Sequence, residues 1–208
     1  MLIAGFPAGS WAANCYVVAT GPGAECVVVD PGQDAAAGVA EIVREHRLKP
    51  VAVLLTHGHI DHMWSVTPVA GAYDATAWIH PSDRHLLADP MAGISRETAA
   101  MLLGGRYEFV EPDDVAELAD GQVLDLAGLQ VTVDHTPGHT QGSVTFRTPY
   151  QLEEISEVMF SGDLLFQGSI GRTDLPGGDH PAMLQSLRTK VLTLADDIVV
   201  LFGHGKQT

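Results

Sequence analysis

Val51-Ala52-Val53-Leu54-Leu55-Thr56-His57-Gly58-His59-Ile60-Asp61-His62 is the stretch that decides how this chain is read. Its first five residues are continuously apolar, short enough for a strand buried on both faces. Four metal-ligating side chains then fall within six residues: His57, His59, Asp61 and His62. Imidazole and carboxylate together suit zinc, iron or manganese. His57 and His59 alternate as in an extended chain, so both can point to one side. Asp61 and His62 fall where the chain turns into a helix and can point elsewhere. One loop can therefore feed two neighbouring metals, with Gly58 allowing the tight turn between the first two ligands.

Outward from this loop, three further segments repeat one pattern: a strand, a glycine, then a ligand-type residue. His139 follows the strand ending near Asp134, Asp163 follows Val158 to Ser161, and His204 follows Ile198 to Phe202. Strand-end loops are where layered folds place their sites. A lone histidine after a strand is usually a surface or capping residue, but His-x-His-x-Asp-His with three later matches is a metal site. Seven residues fit two metals that share one carboxylate. His57, His59 and His139 take one metal, Asp61, His62 and His204 take the other, and Asp163 bridges.

The rest of the chain reads as strands, helices and strands again, an α/β or α+β layered fold in one domain over 1–208. Strands are expected at 14–20 and 25–30, joined by a hairpin turn at Gly21-Pro22-Gly23-Ala24. A helix capped by Asp34 carries Val39, Ile42 and Val43. Further helices are expected at 61–71, 81–87, 95–103 and 181–194, and further strands at 76–79, 123–126, 129–134, 143–147, 158–161 and 198–202.

Eleven Lys+Arg stand against 26 Asp+Glu, a net charge of −15 with His neutral. So acidic a chain is a poor partner for nucleic acid or an anionic membrane. With 46% hydrophobic and 18% charged residues it can bury a core and is not disordered. Two bound divalent metals would add +4, making the field at the site positive inside an acidic protein. Only Arg172 and Lys206 among the cations fall near the expected metals. In the hairpin register Cys26 faces Ala19, which puts Cys15 roughly 13 Å away at about 3.3 Å per residue. A disulfide needs Cα atoms within about 7 Å. Two reduced thiols, no visible signal peptide and no apolar run of about 18 residues lead us to expect a cytoplasmic protein.

The chain resembles the metallo-β-lactamase superfamily through His-x-His-x-Asp-His at 57–62, then His139, Asp163 and His204 in order. The resemblance covers nearly the whole chain. It implies a four-layer αβ/βα sandwich with metals at one sheet edge, and its dinuclear ligand pattern matches the seven residues above. Asp163 stands where some of the familiar zinc β-lactamases carry Cys, and the resemblance to those enzymes does not extend to the second-metal Asp and His set, which implies a hydrolase of something other than antibiotics. Asn14-Cys15-Tyr16, Val29-Asp30-Pro31-Gly32, Ser161-Gly162-Asp163 and Gly171-Arg172-Thr173-Asp174 are similar to the glyoxalase II-like branch. That implies hydrolysis of a thioester of a small anionic thiol, such as S-lactoylglutathione, with two zinc ions (or iron or manganese) and Asp61 orienting the attacking hydroxide. The chain ends four residues after His204, where the long glyoxalase II type continues into a helical domain, so the thiol carrier is open. Persulfide dioxygenases resemble the same stretch around Arg172. That alternative implies one iron on His57, His139 and Asp163.

The resemblance also implies that Arg172 binds the anionic end of the substrate; an internal pair with Asp174 is the competing expectation. Phe6, Pro7 and Trp11 are expected in a Gly-rich loop, chiefly as packing residues. Met63 and Trp64 read as core. Thr56 and Ser161 adjoin ligand loops and are candidates to orient ligands. His80 and His135 are candidates for the same role or for ordinary capping. His46, His85 and His180 read as surface.

Overall fold

A computed structural model describes residues 1–102, 107–152 and 154–205. Strands β1 (Leu2–Ala8), β2 (Ala13–Ala19), β3 (Glu25–Val29), β4 (Lys49–Leu54), β5 (Thr76–Ile79) and β6 (Val115–Glu117) form one sheet in sequential order. Strands β7 (Val123–Leu126), β8 (Leu129–His135), β9 (Val144–Leu152) and β10 (Ile155–Gly162) enter the second together with β13 (Ile198–Phe202), in the order β13-β10-β9-β8-β7. The short pair β11 (Leu165–Phe166) and β12 (Ser169–Ile170) precedes β13. The helices are α1 (Ala35–His46), α2 (Ile60–Met63), α3 (Val66–Tyr73), α4 (Arg96–Leu102) and α5 (His180–Ser186).

Alternation along the central strands explains the layers. Tyr16, Val18, Val27, Val29, Ala52 and Leu54 point toward the second sheet and meet Leu129, Val131, Val133, Phe146 and Phe160. The intervening Cys15, Val17, Cys26, Val28, Val53 and Leu55 point the other way, against Val39 of α1 and Val66 and Val69 of α3. Strand segments covered on both faces are apolar throughout, which is why 15–19, 26–29 and 51–54 are continuous apolar runs. The outer face of the second sheet is polar. Arg147 there lies 2.7 Å from both Asp134 and Glu157, and Lys190, in the turn after α5, reaches Asp134 at 3.6 Å. The result is the expected sandwich of two sheets between helices.

Several expectations change. Asp34 does not cap α1; it is left-handed (φ 57°) with no side-chain cap bond, and Ser65 Oγ accepts from Ala35 N at 3.2 Å instead. The expected helix 61–71 is two helices. Ser65 N donates to Pro31 O at 2.9 Å, which draws the chain out of the first. Pro68 then falls in the opening turn of α3, where its missing N–H costs nothing. Phe6 and Pro7 lie in β1 rather than in a loop. Pro7 is tolerated because β1 is an edge strand. The segment 81–87 yields only a 3₁₀ turn, Arg84–Leu87. The 181–194 helix gives way after Ser186 to a π-turn, Leu187–Val191. Leu103 of the expected fourth helix, and Lys206, lie outside the described residues.

The β2–β3 register is as read, with Ala19 opposite Cys26. Both cysteines are free and buried. Burial, with Asp30 nearby, raises the Cys15 thiol well above its ordinary value, and burial pushes Cys26 up to about 12. A thiolate is the reactive form. Native protein at pH 8 is therefore expected to show no thiol reactive to a disulfide reagent within minutes, and two after guanidinium denaturation. One full equivalent reacting in the native state would contradict this placement. No helix among the described residues is long and apolar enough to cross a membrane.

Candidate metal centre

The seven ligand-type residues meet where strands of both sheets end. His57 and His59 leave β4, Asp61 and His62 open α2, and His139, Asp163 and His204 follow β8, β10 and β13. The two sheets stack with these ends together, so His59 meets His139 across 80 residues of sequence. The approach is close enough to require glycine. A Cβ on Gly203 would run into the Asp163 carboxylate, and one on Gly162, at φ +49°, into Thr56.

Two donor sets form side by side. The ligand atoms of His57, His59 and His139 make one cluster and those of Asp61, His62 and His204 another, with all atoms of each set within 4.8 Å of one another. In the first, His59 Nδ1 lies 2.8 Å from His139 Nε2. In the second, His204 Nε2 lies 3.2 Å from His62 Nε2 and 3.1 Å from Asp61 Oδ2. Asp163 stands between them: Oδ1 is 3.3 Å from His62 Nε2, and Oδ2 is 3.5 Å from His139 Nε2 and 3.7 Å from His204 Nε2. Tetrahedral zinc with bonds of about 2.0–2.1 Å has ligand–ligand edges of about 3.3 Å. These separations bracket that value.

The outer contacts set the tautomers. Thr56 Oγ1 donates its one proton to Asp30 Oδ2 (2.6 Å), so His57 Nδ1, 3.1 Å away, is the donor to Thr56. His62 Nδ1 donates to Asp30 Oδ2 at 3.0 Å, and His139 Nδ1 to the Arg172 carbonyl at 2.7 Å. Each assignment turns an Nε2 toward the site. The buried His57 Nε2 has no hydrogen-bond partner among the described residues, and Asp163 Oδ1 meets only the His62 ring nitrogen, at 3.3 Å. Buried polar atoms are normally satisfied, and an orphan in a cluster of donors fits a bound cation.

The electrostatics agree. Burial and the surrounding imidazoles keep His57 neutral, and burial with His139 lowers His59 to about 3. Neutral imidazole is the ligating form. Burial would raise the Asp61 and Asp163 carboxyls, but His62 and the other imidazoles outweigh it and hold both below their ordinary value. Burial would lower His62, but Asp163 and Asp61 outweigh it and hold that imidazole well above its ordinary value. The site thus supplies anionic carboxylates with neutral imidazoles at His57 and His59, while, against burial, Asp61 and Asp163 hold His62 and His204 above their ordinary value, where a metal would displace the proton.

A cavity of about 460 Å³ opens over both sets, lined by Trp11, Ile60, Ile94, Phe166 and Leu175 beside the ligands. Arg172 also lines it, and its guanidinium binds both oxygens of Asp174 at 2.7 Å, both side chains being exposed. The pair with Asp174 and a position at the cavity therefore coexist.

Other expected residues fall elsewhere. His80 and His135 stack on each other at 4.0 Å and bond Ser82 N and the Gln141 carbonyl, so they act as local hydrogen-bonding groups. His85 and His180 are exposed, while His46 is partly covered. Met63 is buried, and Trp64 is a partly buried partner of Trp11, at 5.8 Å. Ser161 Oγ bonds the Leu165 carbonyl at 2.9 Å, bracing the Asp163 turn. Three contributors escaped the residue-by-residue reading. Asp30 stands in the sequence reading as a strand end and in the Val29-Asp30-Pro31-Gly32 motif, with no ligand-orienting role, although an acid closing an apolar run is itself a signal. Asn14 Nδ2 bonds the carbonyls of Phe202 and Gly205, on either side of His204. Asp83 carries no sequence signal at all.

The sequence profile of the metallo-beta-lactamase superfamily matches residues 8–204. The chain is 34% identical to the hydroxyacylglutathione hydrolase GloC of Haemophilus influenzae, over 87% of this chain and 80% of that one. Among solved structures it is similar to the B3 metallo-beta-lactamase BLEG-1, at 37% identity and a TM-score of 0.83, over 100% of this chain and 93% of the other. It is also similar to TTHA1623 in a di-iron-bound form, at 38% identity and a TM-score of 0.74, over 96% and 91% of the two chains.

Proposed function

The chain belongs to the metallo-β-lactamase superfamily, and from that premise we propose that it is a dinuclear-metal hydrolase of thioesters of a small anionic thiol. The observation that carries the reading is Asp163 standing between two complete donor sets, within 3.3–3.7 Å of nitrogens from each. The similarity to a hydroxyacylglutathione hydrolase supports the thioester as substrate. In this reading His57, His59 and His139 would hold one divalent ion and Asp61, His62 and His204 the other, with the Asp163 carboxylate available to both. Zinc suits the nitrogen-rich set, and iron suits it as well.

When bound, such ions lower the pKa of water toward neutrality and polarise a carbonyl oxygen. The residues supply the rest. Asp61 stays ionised, so its carboxylate accepts a hydrogen bond from the attacking water and orients it. The apolar wall of Trp11, Ile94, Phe166 and Leu175 seats the organic part of the substrate against the donor sets. Hydrolysis forms the acyl C–O bond, breaks C–S and sends the proton to the departing sulfur. No serine or cysteine nucleophile takes part; both cysteines are buried in the helix-facing core. Their reduced state agrees with a cytoplasmic protein.

Arg172 faces the same cavity and is assigned to the anionic end of the thiol. Arg172→Ala is expected to raise KM about tenfold with kcat nearly unchanged, the signature of lost uniform binding. An unchanged KM would leave the residue as a partner of Asp174 alone.

The deciding experiment is metal analysis of purified protein, paired with a substrate panel of thioesters including S-lactoylglutathione, β-lactams and a thiol persulfide. Two metals per chain and thioester turnover are expected. One iron with oxygen uptake on the persulfide would replace this reading with a dioxygenase using His57, His139 and Asp163. Preferred turnover of β-lactams would move the assignment toward BLEG-1.

A further inference from the structure

Asp83 lies between β5 and the 3₁₀ turn Arg84–Leu87, outside every ligand-bearing segment, yet its side chain is buried at 2% exposure. Its carboxylate receives three hydrogen bonds. Gly58 N donates to Oδ2 at 2.9 Å, Thr140 Oγ1 to Oδ2 at 2.6 Å, and Gly142 N to Oδ1 at 2.7 Å. Gly58 is the residue between His57 and His59. Thr140 adjoins His139. One carboxylate therefore ties together the two loops that bring the three imidazoles of the first set to one point.

The surroundings are shaped for this group. A Cβ on Gly142 would run into the Asp83 side chain, and one on Gly58 would meet the Asp83 carbonyl oxygen at 3.0 Å. Thr140 is further fixed, since its hydroxyl and its N–H both meet Ser143 Oγ, at 2.8 and 3.1 Å. None of the three donors to Asp83 is charged. A buried carboxylate satisfied only by neutral donors is costly to keep as mere packing. Asparagine cannot replace it, because its amide would set a donor against a backbone N–H.

We propose that Asp83 is a positioning residue for the first donor set, clamping the His57–His59 loop to the His139 loop so that their imidazoles converge on one ion. This rests on the metal-binding reading above. Outer partners of metal ligands typically contribute about 10–100-fold in metal affinity.

The test is Co²⁺ titration of metal-free protein, followed by visible absorption and chelator competition, with thermal unfolding in parallel. Wild type is compared with Asp83→Asn, Thr140→Val and, as a destabilised control in the core, Leu129→Ala. Asp83→Asn is expected to bind one of the two equivalents about 10–100-fold more weakly and the other within about threefold, excess Co²⁺ restoring the spectrum. Thr140→Val is expected to weaken the same equivalent several-fold. Leu129→Ala should lower Tm with both affinities unchanged. If Asp83→Asn and Thr140→Val both bind both equivalents within twofold of wild type, the proposal is overturned, whatever their Tm. If Asp83→Asn does not fold, an unchanged Thr140→Val overturns it by itself. Wild type that binds no metal would instead remove the hydrolase reading and this inference with it.

Discussion

Replacing Asp163 by asparagine is expected to lower kcat/KM for the preferred thioester by about 10³-fold or more, the scale of several kcal/mol of transition-state stabilisation. The change is nearly isosteric but removes the negative charge between the two sets. His62, whose proton affinity is raised by Asp163 and Asp61, loses one of those two supports. Asparagine presents a single carbonyl oxygen where Asp163 presents Oδ1 toward His62 and Oδ2 toward His139 and His204. At most one metal per chain is then expected to survive dialysis. The measurements are steady-state kinetics and metal content on a variant with wild-type circular dichroism. Activity above about a tenth of wild type would mean that Asp163 does not join the sets. His204→Ala, made alongside, separates the chemistries. A two-metal hydrolase loses its activity, whereas a mononuclear centre on His57, His139 and Asp163 keeps its three ligands.

The largest stability effect is expected at Asp30. Its carboxylate accepts from Thr56 N at 2.8 Å, Thr56 Oγ1 at 2.6 Å and His62 Nδ1 at 3.0 Å, and the residue is buried. Alanine leaves these donors without their acceptor, each costing about 1–3 kcal/mol unless water enters. Asp30 is also left-handed, at φ 49°, a conformation that alanine adopts less readily than aspartate. A loss of about 3–5 kcal/mol follows, which for a domain of this size lowers Tm by about 10 °C. The same substitution frees the His57 and His62 rings, so metal affinity is expected to fall with stability. A Tm within about 2 °C of wild type would show that the Asp30 network contributes little.

Much of the fold was legible because burial on both faces leaves a local mark. β2, β3 and β4 carry continuous apolar runs at 15–19, 26–29 and 51–54, and α1 repeats its apolar residues at helical spacing. What was missed had no such mark. β1 contains Gly5 and Pro7 and is fixed as a strand only by pairing with β2 along its length. The start of α1 is capped by Ser65, 30 residues away, rather than by its neighbour Asp34. The break between α2 and α3 depends on a bond from Ser65 N to Pro31 O.

The site divides in the same way. The sequence by itself determined which residue types collect at strand ends: His57, His59, Asp61 and His62 in one loop, and His139, Asp163 and His204 each after a strand and a glycine. Donor identity and local spacing are covalent facts, and metal chemistry reads them directly. Only the tertiary structure decided which imidazole nitrogen faces inward and what holds the loops together. Those properties belong to Asp30, Thr56, Asp83 and the Arg172 carbonyl, whose contacts span 25 to 59 residues of sequence apart from Thr56 and its neighbour His57. Hydrogen bonds between distant loops exist only once the two sheets have stacked, so no periodicity or spacing along the chain encodes them.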